Sequence, residues 1–460
     1  MTFDAVLERF AARSPTTVVA KLLLDRALDP AWVDTIFEAH RERQYTRDLL
    51  FSTTVDLMST VALGLQPSIH AAAQVEGNLP VSLAALYAKI NGIEPTLVRE
   101  LVRGSAKRLV PVQKALGAKT ETLLSGYRVR IVDGNHLPAS EKRLAVLRSF
   151  RGAARPGHSL VVYEPELGLV TDIVPCEDAY AQERSLMPFL LAESSPGELW
   201  IADRNFSTTA IFRGFAKTGA CFLIREHGSS PNPTECGRLR KMGRVETGMV
   251  YEQAVELTAT KEVEALPLRR IEIHLDEPME NGESVIRILT NVPAAVRAKT
   301  LANLYRRRWT IESMFQWLES VLNSEVRTLG YPRAALFAFG VALVAFNALS
   351  LIRQAIEVAH ESPPDDPQGV SFYYVSNEIS STITGLCIAV PDETWEPLRR
   401  LAPGKLGKLL LELAGRVDPR KCRKHPRSPK VAKKKGYVSG REARSQVSTA
   451  RAIASGKVRS

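Results

Sequence analysis

From residue 126 to 227, strands and helices succeed one another in an order that few sheet topologies can accommodate. RVRIVDGNH (128–136), SLVVYEPELG (159–168) and LVTDIVPC (169–176) alternate or run apolar with β-branched residues, and Pro165 to Gly168 supply a turn, so a meander of three strands is predicted. A helix over Ala179 to Ala192, a strand over ELWIADRNF (198–206), a helix capped by Ser207 or Thr208, and a strand over ACFLIREH (220–227) follow.

Three antiparallel strands and then alternating helices and strands is the order of a ribonuclease H-like fold, an α/β mixed sheet core. The remaining chain divides around it. Residues 1–125 are read as an N-terminal helical lobe, because stretches such as Asp48 to Leu63 and Leu83 to Leu101 carry apolar residues at three- and four-residue spacing, and such a lobe ahead of an α/β core suits a DNA-binding module. A plain helical bundle has the same pattern. Residues 126–227 form the first part of the α/β core and 228–292 a β-rich insertion, read from VYEQAVELTAT, LRRIEIHLD and SVIRILTNV. Residues 293–330 complete the core with a long helix from about Ala298 to Asn323. A C-terminal helical lobe occupies 331–415, broken by the loop SPPDDPQG (362–369), and 416–460 is a basic flexible tail.

Charge is distributed unevenly. The chain of 460 residues carries a net +11, yet from Arg416 to Ser460 there are 15 Lys/Arg against Asp418 and Glu442 only, so the rest is close to neutral. A segment this basic and this poor in apolar residues does not bury enough surface to fold alone, and it gains free energy by displacing counterions from nucleic acid. A merely solvated tail fits the charge equally well. The five cysteines, Cys176, Cys221, Cys236, Cys387 and Cys422, have neither disulfide-framework nor zinc spacing, which suits a reducing cytoplasm. The N-terminal MTFDAVLERFAARS has acids and no apolar core, so no signal peptide is expected. The apolar run from Leu336 to Ile352 approaches spanning length, but Asn347 and Ser350 interrupt it and a buried helix is predicted, with no membrane partner.

Three acids draw attention. Asp133 ends an apolar strand just before Gly134 and Asn135, and Asp203 repeats the arrangement after Leu199 to Ala202. Strand ends are where a rigid backbone can present a side chain to solvent. Either aspartate alone is explained as well by a turn cap. On the helix that follows the insertion, Tyr305, Arg308, Glu312 and Glu319 fall within about 60° of one another at about 100° per residue. Leu304, Ile311, Phe315, Leu318 and Leu322 form a separate apolar stripe. Arg308 and Glu312 alone would be an ordinary i,i+4 pair. Coincidence with two strand-terminal aspartates, in fold order, is what that explanation leaves out.

The chain resembles bacterial transposases of the insertion-sequence-four group, whose ribonuclease H-like core carries a DDE triad. Tyr305, Arg308 and Glu312 in YRRRWTIESMFQWLE meet the motif Tyr-x2-Arg-x3-Glu-x6-Lys, and VDGNHLP and ADRNF resemble the family's blocks around the two aspartates. The resemblance implies Asp133, Asp203 and Glu312 as catalytic metal ligands for two Mg²⁺ ions, with Mn²⁺ able to substitute. Oxygen-only ligation suits those cations, and a pair about 4 Å apart supports in-line displacement. It further implies Tyr305, Arg306, Arg307, Arg308 and Trp309 as DNA contacts, terminal inverted repeats and target DNA as partners, a homodimer in the synaptic complex, and a cytoplasmic, nucleoid-associated bacterial protein. Two departures stand out. Glu319 replaces the motif lysine, and the insertion has no tryptophan to hold a flipped base; Tyr251 is a candidate stacking aromatic there, and hairpin formation stays open. Trp309 can pack, stack on DNA, or do both.

Other chemistries find no support. PGKLGKLL (403–410) lacks phosphate-loop spacing, and neither HExxH nor GxSxG occurs. A catalytically impaired or repurposed DNA-binding protein, favoured by Glu319, and a metal-dependent nuclease without joining activity share the fold and stay open beside the transposase.

Overall fold

The computed structural model describes residues 3–46, 48–118, 122–228, 231–258, 264–363, 369–424 and 446–456. The first seven helices are α1 (Ala5–Arg13), α2 (Pro15–Ala27), α3 (Pro30–His40), α4 (Phe51–Ala62), α5 (Ile69–Glu76), α6 (Leu83–Gly92) and α7 (Pro95–Ala115). Asp4, Asp29, Ser68 and Ser82 each accept a hydrogen bond from an otherwise unpaired amide in the first turn. The predicted helix from Leu83 to Leu101 is two helices. Proline disfavours helical dihedrals in the residue before it, and Glu94 accordingly adopts an extended conformation (φ −70°, ψ 143°) ahead of Pro95.

The core follows as β1 (Arg128–His136), α8 (Ala145–Arg148), β2 (Ala153–Arg155), β3 (His158–Glu164), β4 (Leu169–Cys176), α9 (Met187–Leu191), β5 (Glu198–Ala202), α10 (Thr209–Thr218) and β6 (Cys221–Arg225). The expected helix over 179–192 is shorter. Asp178 turns the chain by accepting from the Tyr180 amide, and a 3₁₀ turn over Glu183–Leu186 leads into α9. Strands run in the order β4-β3-β1-β5-β6, antiparallel in the meander and parallel across β1-β5-β6, which is the ribonuclease H-like arrangement. Alternation sends Val132, Leu160, Trp200 and Phe222 to one face, where they pack with Phe206, Phe212 and Phe215. Val129, Ile131, Val161 and Ile201 point the other way, into the helical layer.

The insertion contributes β7 (Thr234–Glu235), β8 (Arg240–Val245), β9 (Gly248–Leu257), β10 (Leu266–Leu275) and β11 (Val285–Thr290). They extend the same sheet. β11 pairs antiparallel with β6, and the order continues β6-β11-β10-β9-β7, with β8 also on β9, giving ten strands in all.

The expected long helix over 298–323 is pinched into α11 (Ala298–Arg306) and α12 (Trp309–Val321). Three-residue hydrogen bonds tighten the junction, from Arg307 to Leu304 and from Arg308 to Tyr305. Next come α13 (Pro332–Ala359), α14 (Phe372–Ala389), α15 (Asp392–Arg399) and α16 (Pro403–Gly415). By length and composition α13 could cross a membrane, but its apolar window is entirely buried within the protein. It packs on α2, α4, α6, α7 and α16. Its polar residues finish the outer edge of β4. Asn347 accepts from the Val170 amide and donates to the Val170 carbonyl, both at 2.8 Å, while Ser350 and Gln354 donate to the carbonyls of Gly168 and Leu167.

Part of the loop at 362–369 and most of the basic tail, 425–445 and 457–460, lie outside the described residues. The described end of the tail is docked rather than free. β12 (Gln446–Ser448) runs parallel to β2, and a helix over Thr449–Ser455 brings Arg451 onto the Asp178 carboxylate at 2.7 Å. Ser448 and Ala452 are buried, so even a basic segment docks where it carries a few apolar or small side chains.

Candidate active site

β1 keeps its partner β3 as far as His136 but pairs with β5 only as far as Ile131. Beyond Ile131 the two parallel strands part, and a crevice opens between their ends. Asp133 stands on the β1 side of that opening, on the same face as Val129 and Ile131. Asp203 follows β5 directly and caps the 3₁₀ turn Arg204–Phe206 by accepting from the Asn205 amide at 2.8 Å. The two aspartates are close enough to repel one another. Burial first, and then the charge of Asp203, push the Asp133 carboxyl up to about 7. Burial also raises that of Asp203, against the pull of the Asn205 amide and Arg308.

Arg308 links the third acid to this pair. Its guanidinium reaches Asp133 Oδ2 at 3.5 Å and Glu312 Oε1 at 2.8 Å, so Glu312 is tied to Asp133 through a cation that the protein supplies itself. Only 9% exposed, Arg308 pays for burial with these contacts, and Tyr305, Glu312 and Asp133 hold its pKa above the usual range. Among the described residues, no three His, Cys, Asp or Glu side chains stand at a spacing that would hold a metal ion. The donor chemistry nevertheless suits a hard divalent cation. Carboxylate oxygens project from rigid strand ends, and the two aspartates repel each other with Arg308 only partly offsetting their charge.

The predicted DNA contacts separate by exposure. Trp309 is 53% exposed beneath the Arg308 guanidinium, which lies 4.9 Å above its ring. Arg306 is exposed and pairs with Glu246 at 2.8 Å, and Arg307 is half-buried. Tyr305 is 5% exposed, its hydroxyl makes no hydrogen bond, and burial pushes its pKa up. With Arg308 it lies inside the site, not on its surface. Tyr251 is half-buried, its ring tilted against that of His274 with centroids 4.4 Å apart. Glu319 is exposed in the last turn of α12.

The structure adds residues that the sequence did not single out. Glu183, from the turn before α9, accepts from His136 Nε2 at 3.3 Å and is also hydrogen-bonded by the Asn205 side chain. Burial opposes its charge, but those bonds hold its carboxyl below the ordinary range. His136 in turn lies against His158, with ring centroids 5.0 Å apart, and burial keeps His158 neutral to a lower pH than usual. His136 lies within VDGNHLP, so that block held a signal; nothing local marked Glu183.

Residues 124–347, which contain all of these groups, match the family model of the transposase DDE domain. Residues 124–347 belong to that family. The transposase domain thus begins just ahead of β1 and ends inside α13. No curated protein matches the chain. Within the matched segment Asp133 and Asp203 sit on adjoining strand ends and Glu312 on α12, tied to Asp133 through Arg308.

Proposed function

We propose that the chain is the transposase of an insertion sequence of the insertion-sequence-four kind. It binds terminal inverted repeats, cuts the DNA strands at the element's ends and joins the freed 3′-hydroxyls to target DNA. The observation that carries this reading is the crevice between β1 and β5, with Asp133 and Asp203 on its two lips and Glu312 held to Asp133 through Arg308. Asp133, Asp203 and Glu312 would hold two Mg²⁺ ions, or Mn²⁺ in their place. When bound, the ions lower the pKa of the attacking water or hydroxyl and neutralise charge on the leaving oxygen.

The chain's own residues supply the rest. Strand ends fix the two aspartates, so little reorganisation is left for the reacting complex. The α11–α12 junction carries Arg308, which keeps Glu312 turned toward Asp133. Buried between acids, Arg308 serves to position them, while Trp309, Arg306 and Arg307 are the groups offered to the DNA backbone and bases. Tyr305 supports Arg308 from beneath. The basic tail adds sequence-independent affinity, and pairing two element ends calls for a homodimer in the synaptic complex.

The test is a labelled terminal-repeat duplex incubated with the protein in Mg²⁺ and in Ca²⁺. Cleavage with joining is expected in Mg²⁺, and Asp203→Asn or Glu312→Gln should bind the duplex as well as wild type while losing cleavage. Robust strand transfer by either variant contradicts the assignment. Glu319, exposed where the motif has a lysine, favours one rival, an impaired DNA-binding copy. Binding without cleavage by the wild-type protein would establish that rival, and cleavage without joining would establish a nuclease.

A further inference from the structure

Gly134 has no side chain, and the space is taken. A Cβ built on it would fall 2.0 Å from Glu183 Oε1 and 2.2 Å from Cδ, so the carboxylate lies flat against the backbone next to Asp133. From that seat Glu183 touches both lips of the crevice. It accepts from His136, three residues beyond Asp133, and is bonded by Asn205, two residues beyond Asp203. Its side chain is 17% exposed. Its carboxylate also lies close enough to both aspartates for their charges to repel.

A glutamine would make the same two hydrogen bonds without that repulsion. A third carboxylate beside two aspartates, where a glutamine would serve the same hydrogen bonds, adds negative potential that attracts a cation to the crevice. A second observation also points to a missing occupant. The Tyr305 hydroxyl, on a side chain more than nine-tenths buried, has no hydrogen-bond partner, and its charged neighbours are Arg308, Arg225 and Asp203. We propose that Glu183 is a fourth acidic residue of the metal pocket, whose negative charge, beyond its hydrogen bonds, draws a divalent cation to Asp133 and Asp203. This rests on the metal-dependent reading above, and it assigns to Glu183 a role that the DDE triad does not include.

The experiment measures Mn²⁺ binding to the full-length protein by titration calorimetry, without DNA, for wild type, Glu183→Gln, Glu183→Asp and Asp133→Asn, with circular dichroism to confirm folding. Wild type should bind Mn²⁺, and Glu183→Gln should weaken binding about 10–100-fold, the usual cost of losing a group that supports a metal site. Glu183→Asp, which keeps the charge and shortens the reach, should fall between. If Glu183→Gln binds as wild type does, or more tightly than Glu183→Asp, the carboxylate is only a brace and the proposal fails. It fails also if neither variant folds, because the group is then structural. Mn²⁺ binding that is absent in wild type, or unchanged by Asp133→Asn, would overturn the metal reading itself. Equal binding by wild type and Glu183→Gln with loss in Asp133→Asn would overturn the inference alone.

Discussion

Asp133 is an acid whose folded-state pKa is raised, to about 7, so its contribution to stability runs opposite to that of a salt-bridged carboxylate. Above pH 7 the folded protein must carry its buried charge beside Asp203, while the unfolded chain carries it freely. As pH falls through 7 the native state takes up a proton the unfolded state does not, and metal-free protein gains stability until the unfolded carboxyl also protonates. Asp133→Asn should therefore raise the melting temperature of metal-free protein at pH 8, by at most about 4 kcal/mol in stability, and flatten its rise between pH 8 and 5. A melting temperature that falls on substitution would show that the charge is already compensated. Asp133 and Asp203 were legible in the sequence because a strand end next to a turn is a local pattern. Glu183 was not, since what matters about it is contact with residues 134, 136 and 205, which no spacing rule encodes. Tyr305 and Arg308 were legible as members of one helix face, yet their burial depends on what that face meets.

Among the elements, α13 shows how a sequence feature can be read correctly and for an incomplete reason. Asn347 and Ser350 interrupt its apolar run, and they lie inside the protein because they complete the hydrogen bonding of β4's open edge. Asn347→Leu leaves the Val170 amide and carbonyl buried without partners, a loss of about 2–4 kcal/mol. Denaturant unfolding checks it, and a change under 1 kcal/mol would mean that water or another side chain takes over. β1 and β4 match their predicted spans, because alternation of buried β-branched residues is dense there, while β3 stops at Glu164 and β5 at Ala202, where Asp203 caps a 3₁₀ turn instead of continuing the strand to 206. Helix lengths were less legible. Pro95 divided one predicted helix, the Asp178 turn shortened another, and the junction at Arg307 split a third where Arg308 turns inward toward two acids.

For the whole molecule, the matched segment 124–347 is not an independent unit, although the family match begins and ends there. α13 starts inside it and runs twelve residues beyond, and its faces are covered by α2, α4, α7 and α16 from both ends of the chain. Residues 124–347 expressed alone should aggregate, whereas the full chain stays monodisperse in gel filtration; a soluble, cooperatively melting fragment would contradict the shared core. What was expected as a separate insertion is joined to the catalytic strands by a continuous ladder, since β6 gives one edge to β5 and the other to β11. No seam between those strands can act as a hinge. A displacement of the outer strands is therefore transmitted, bond by bond, to β5, the strand that leads into Asp203, so the insertion and the crevice shift together.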